Sequence, residues 1–113
     1  MIGEKEFGLM KPTACIVNTA RGPIIDELAL IKALQEKRIA GAGIDVWEKE
    51  PPDMDNPLLK MDNVIATPHS AFYSDVSSDR LNTSVGQEAA RIISGHWPKN
   101  WVNKDVKPKV TLV

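Results

Sequence analysis

The chain has 113 residues, 42% of them hydrophobic and 26% charged, a mixture that excludes wholesale disorder. With 14 Lys and Arg against 15 Asp and Glu, the formal charge is −1, which argues against a nucleic-acid binder held by bulk electrostatics. One cysteine, Cys15, excludes a disulfide framework and a multi-Cys zinc site, and no apolar run approaches the roughly 18 residues of a membrane span. The charged start, Met1 to Glu6, lacks the apolar core of a signal peptide, so a reducing, cytoplasmic setting is expected, with neither a nucleic acid nor a membrane as partner.

Residues 4–11 read as a short helix that Pro12 stops. Residues 14–20 begin as a continuous apolar run, the pattern of a strand buried on both faces, with Cys15 in the core. Asp26 is a candidate N-cap for a helix to about Arg38, with Leu28, Ile31 and Leu34 on its inner face and Leu30 and Ala33 beside them. Ala42 to Trp47 predicts a second strand, Glu48 to Asp62 a polar loop, and Asn63 to Thr67 a third strand. Ser74 is a candidate N-cap for a long helix to about Ser94, striped by Leu81, Val85, Ala89 and Ile92 and closed by Gly95. The tail from His96, with Trp97 and Trp101, predicts no regular element.

Apolar strands alternating with amphipathic helices point to an α/β fold with a parallel sheet. Three parallel strands make a poor stand-alone sheet, because such sheets are covered on both faces. The expectation is therefore part of a larger domain, or a homodimer formed through an open sheet edge.

In open α/β sheets ligands bind beyond the carboxyl ends of the strands. Arg21, Glu50 and His69 each follow one of the three strands and converge on that rim. Arg offers a planar fork for a carboxylate, and a His beside a carboxylate can move a proton. Each also has an ordinary reading, as a turn residue, one charge among several, or a helix cap. Asp45 interrupts an apolar strand, and a buried carboxylate needs a donor, either a nearby backbone N–H or a ligand amide. Gly41-Ala42-Gly43 is not a dinucleotide fingerprint, because position 46 is Val and the glycines precede a strand instead of following one.

Three blocks carry a resemblance: Leu9 to Gly22 with Pro23 and Asp26; Gly41 to Trp47 with Glu50-Pro51; and Asn63-Val64-Ile65 with Thr67-Pro68-His69. In that order and spacing they resemble the D-isomer-specific 2-hydroxyacid dehydrogenases. Ser70 to Ser74 and Trp97 to Asn100 resemble the side of the family with D-lactate dehydrogenases and the NAD-sensing C-terminal binding proteins.

The resemblance implies the second half of a Rossmann-type doubly wound sheet. Residues 1–104 would be a partial NAD-binding domain without its Gly-rich loop, and 105–113 a C-terminal tail. It implies Arg21 as the substrate-carboxylate arginine, His69 as general acid/base and Glu50 as its partner. It implies NAD as cofactor, held by Thr19, Ala20, Arg21, Asp45, His69 and Ala71, with Asp45 on the nicotinamide carboxamide. The implied reaction is hydride transfer to and from a small 2-keto or 2-hydroxy acid, by a fragment that is inactive alone. The alternative is a non-catalytic NAD-sensing or dimerising protein.

Overall fold

The computed structural model describes every residue except Lys104, Pro108 and Val110. The chain forms two compact units, Met1–Ala71 and Phe72–Val113. Among the described residues no helix is long and apolar enough to cross a membrane.

The first unit runs α1 (Glu4–Leu9), β1 (Cys15–Asn18), α2 (Glu27–Gln35), β2 (Gly41–Ile44) and β3 (Val64–Ala66). Two 3-10 turns, Gly22–Ile24 and Pro57–Lys60, sit in the connections. The strands pair in parallel in the order β1-β2-β3. The α/β parallel sheet expected from the alternating pattern is therefore present.

The N-terminus is tied to the start of α2. The Ile2 amide donates to the Ile24 carbonyl at 2.9 Å, and the Asp26 amide donates to the Ile2 carbonyl at 2.8 Å. Asp26 caps α2 as expected, its carboxylate accepting from the Ala29 amide at 2.9 Å. Phe7 of α1, Leu30, Ala33 and Leu34 of α2, Ile44 of β2 and Leu58 form the core. Burying each large side chain contributes about 1.5–3 kcal/mol.

The inner face of α2 differs from the expected one. Leu30, Ala33 and Leu34 are buried, whereas Leu28 is 79% exposed and Ile31 is half-buried. The run Leu28 to Ile31 is apolar on every side of the turn, so periodicity alone gives an ambiguous phase.

The first strand also departs from expectation. It lies at the edge of the sheet, and the side chains on one of its faces are exposed. The register aligns Val17, Gly43 and Ile65 in one row, and Val17 is 69% and Ile65 74% exposed. Cys15 shares that open face and is exposed, so it is not a core residue. An apolar run reports that a strand needs cover; the first unit's core, with Phe7 of α1 and Leu30 of α2, supplies it on the face of Ala42 and Ile44.

In the second unit, α3 (Asp75–Ile93) starts where Ser74 predicts, with the Ser77 amide donating to the Ser74 hydroxyl at 3.1 Å. It ends in a Schellman motif around Gly95 at φ 79°. The Gly95 amide donates to the Ile92 carbonyl and the His96 amide to the Arg91 carbonyl. The stripe of Leu81, Val85 and Ile92 is present but exposed. Trp97 and Trp101 pack against each other, ring centres 4.2 Å apart and planes tilted by 50°. The tail has no regular element among its described residues.

Candidate functional site

Each strand of the sheet delivers one segment to its carboxyl end. After β1 the chain turns through Thr19, Ala20 and Arg21. Buried Asn18 shapes that turn: its carboxamide accepts from the Ala20 amide at 3.1 Å and donates to the Arg21 carbonyl at 3.0 Å. Asn favours such local backbone bonds. The Arg21 guanidinium donates to the Ala20 carbonyl at 2.6 Å. Gly22 follows, pressed against the backbone of Trp47, where no side chain fits.

After β2 come Asp45, Val46 and Trp47, all buried. The Trp47 amide donates to one oxygen of Glu50 at 3.0 Å, which orients that carboxylate. The other oxygen meets Nδ1 of His69, which follows β3, at 2.9 Å. The His69 hydrogen bond holds the Glu50 carboxyl below its ordinary value, helped by the Trp47 amide and, more weakly, by the charges of His69 and Arg21. An ionised carboxylate only accepts, so Nδ1 carries the proton in this pair. An apolar cavity of about 340 Å³ opens beside it, walled by Trp47, Pro51, Pro52, Leu59 and Pro68.

Glu50 and His69 are thus in contact. The guanidinium of Arg21 bonds to the Ala20 carbonyl, and its charge reaches Glu50.

Asp45 is 3% exposed, and its donors come from the chain itself. One oxygen accepts from the Thr67 hydroxyl at 2.6 Å and the Ser70 amide at 2.8 Å; the other accepts from the Ala71 amide at 3.0 Å. The Thr67 bond, followed by those amides, holds its carboxyl below the ordinary value against the opposing effect of burial. A carboxylate has about four acceptor positions, so one remains on the oxygen facing Ala71. The sequence reading missed Thr67 and Asn18. Asp45 itself was the available signal for Thr67, since a carboxylate inside a strand must find donors on its neighbours.

Gly41 and Gly43 lie within β2 and build no phosphate loop. A side chain at Gly41 would meet the Asn63 carbonyl oxygen at 2.8 Å, so close strand packing accounts for that glycine.

The residues present fit the nicotinamide end of a dinucleotide. A carboxylate with an unused acceptor position and the exposed turn at Thr19 and Ala20 follow adjacent strands, at the end of the sheet where such ligands bind. No G-x-G-x-x-G occurs in the 113 residues to cradle a pyrophosphate.

Comparison with known proteins agrees with this geometry. Residues 1–71 match the family model described as D-isomer specific 2-hydroxyacid dehydrogenase, NAD binding domain. A glyoxylate reductase from Korarchaeum cryptofilum is 46% identical over 106 residues, covering 94% of this chain and 32% of that protein. The NAD-complexed D-isomer specific 2-hydroxyacid dehydrogenase of Lactobacillus delbrueckii ssp. bulgaricus superimposes with a TM-score of 0.81 at 39% identity, covering 90% of this chain and 35% of that one. D-lactate dehydrogenase with NAD+ from Lactobacillus jensenii gives 0.79 at 33% identity, covering 90% and 34%. The chain therefore spans about a third of the length of each of these proteins.

Proposed function

The chain belongs to the D-isomer specific 2-hydroxyacid dehydrogenase family through its NAD-binding domain, and on that premise we propose that it works as part of an NAD(H)-dependent oxidoreductase. Its substrate class is a small 2-keto acid, reduced to a D-2-hydroxy acid. The observation that carries this reading is the 2.9 Å contact between His69 Nδ1 and Glu50, at the end of the sheet where ligands bind.

The roles follow from the chemistry of each group. NADH, held by Asp45, Thr19, Ala20 and Ala71, would supply the hydride. Glu50 holds His69 by its Nδ1–H, so the imidazolium form gives its Nε2 proton to the carbonyl oxygen and is left as the neutral Nδ1–H imidazole. In the reverse direction Nε2 takes the hydroxyl proton. Arg21 pairs its guanidinium with the substrate carboxylate. Asp45 gives its remaining acceptor position to the nicotinamide carboxamide, flanked by Thr19, Ala20 and Ala71. The relatives named above act on glyoxylate and D-lactate by name, so the substrate is assigned as a class and not as one compound.

Residues 1–104 then form a partial NAD-binding domain, followed by a short tail. The 113 residues contain no Gly-rich pyrophosphate loop, so we expect the chain to turn nothing over by itself. A second reading is a cytoplasmic NAD-sensing or dimerising protein without catalysis.

A chimera separates the two. Residues 1–113 replace the matching segment of the Korarchaeum glyoxylate reductase, and NADH oxidation by glyoxylate is followed. Turnover that His69→Ala lowers at least 100-fold supports the dehydrogenase reading, given the usual worth of a general acid. A folded chimera that binds NADH without turnover overturns it in favour of the second reading.

A further inference from the structure

The three residues read as chemistry account for neither the Thr67 hydroxyl nor the four bonds that Asp45 makes to the segment after β3. Asp45 reaches that segment through backbone and side chain together. Its carbonyl accepts from the His69 amide at 2.8 Å. Its carboxylate accepts from the Thr67 hydroxyl and from the Ser70 and Ala71 amides, at 2.6, 2.8 and 3.0 Å. The Thr67 amide donates to the Ile44 carbonyl at 2.9 Å, so the segment is anchored to β2 on both sides of Pro68.

Between these anchors His69 has φ 53°, in the left-handed region that L side chains rarely adopt. Such a conformation persists only where the surroundings impose it. Here they include the backbone bonds to Ile44 and Asp45, one buried carboxylate and one hydroxyl. The left-handed turn sends the imidazole toward Glu50 and leaves the following two amides pointing at Asp45.

We propose that Thr67 and Asp45 form a clamp that sets the backbone of His69 and thereby the His69–Glu50 contact, which makes Thr67 a positioning residue. The inference rests on the reading of His69 as the proton-handling group, but its structural content stands without that reading. The hydroxyl supplies one of the two donors on an Asp45 oxygen. Without it that oxygen keeps a single donor, and the turn loses the bond that ties its entrance to its exit.

The test uses the 113-residue chain. The imidazole nitrogens are observed by 15N–1H NMR at pH 8, with His96→Gln identifying the other histidine. The parent chain is expected to show one His69 tautomer, with the proton on Nδ1, and Glu50→Ala to lose it. Thr67→Val keeps the shape of the side chain and removes the hydroxyl; it is expected to give mixed tautomers, and Thr67→Ser to restore the parent pattern. Amide spectra report whether each variant is folded. If Thr67→Val is folded and keeps the single tautomer, the clamp is overturned. If Thr67→Val unfolds the chain, Asp45→Asn and Thr67→Ser decide: single-tautomer spectra in folded Asp45→Asn overturn the proposal.

In the active chimera Thr67→Val is expected to lower kcat about tenfold, with Thr67→Ser near the parent. An inactive chimera with a tautomer-sensitive Thr67→Val chain removes the catalytic reading and keeps the clamp. An active chimera with an insensitive Thr67→Val does the reverse.

Discussion

The Cβ that Gly22 lacks would lie 1.9 Å from the carbonyl oxygen of Trp47. Real Cβ atoms do not approach an oxygen so closely, so the turn after β1 is seated on the chain that leaves β2. The same Trp47 offers its amide to Glu50. One glycine therefore sets the distance between the Arg21 turn and the strand end that orients Glu50.

Gly22→Ala forces these two backbones apart, and overpacking of this kind costs about 1–3 kcal/mol. Thermal unfolding followed by circular dichroism should show a midpoint lower by about 4 °C or more. An unchanged midpoint would mean that the two turns slide freely.

Glu50 gives the stability of the first unit a defined pH dependence. Its folded carboxyl lies below the ordinary value of 4.5, through the His69 hydrogen bond first and the Trp47 amide second. Between the folded value and 4.5 the unfolded chain binds more protons, so stability rises with pH there. The contribution is fully present above 4.5 and is lost as pH falls through the folded value. Glu50→Gln should make the urea midpoint fall less steeply on acidification below pH 4.5. An identical slope would remove the hydrogen bond as its source.

Asp26 caps α2 through the Ala29 amide, and the substitution Asp26→Ala should cost about 1 kcal/mol, whereas Asp26→Asn should cost a few tenths. Urea unfolding of the two variants measures the difference. Equal losses would show that the charge on Asp26, and not its acceptor oxygen, holds the helix start.

Cys15 is exposed on the sheet face it shares with Val17, so a thiol reagent should modify it fully in the folded chain without denaturant. The amide spectrum should stay that of the folded protein. Protection until denaturant is added would mean that something covers this face in solution.

What the sequence made legible follows the range of the interaction. Asp26, Ser74 and Gly95 were readable because a cap is made within four or five residues. The parallel strands were readable from Cys15-Ile16-Val17 and Asn63-Val64-Ile65, because a buried sheet demands apolar runs. That demand does not say which part of a fold meets it, so Val17 and Cys15 were misjudged. Leu28 failed for a different reason, since an apolar residue on every side of a short helix leaves the buried face to tertiary packing. Of the site, Glu50 and His69 could be suspected from their places after strands. Thr67 could not, because its hydroxyl acquires a purpose only when the register sets it beside Asp45.

The three tryptophans divide between the two units, and this gives each unit its own optical signature. Trp47 is buried in the first unit, so its fluorescence is expected at shorter wavelength than that of a solvated indole. Trp97 and Trp101 belong to the second, tilted against each other with centres 4.2 Å apart, a distance at which two indole transitions are expected to couple and split a circular dichroism band. Band splitting, recorded along a denaturant titration beside the emission wavelength, therefore reports on the Trp97–Trp101 pair in an unlabelled chain.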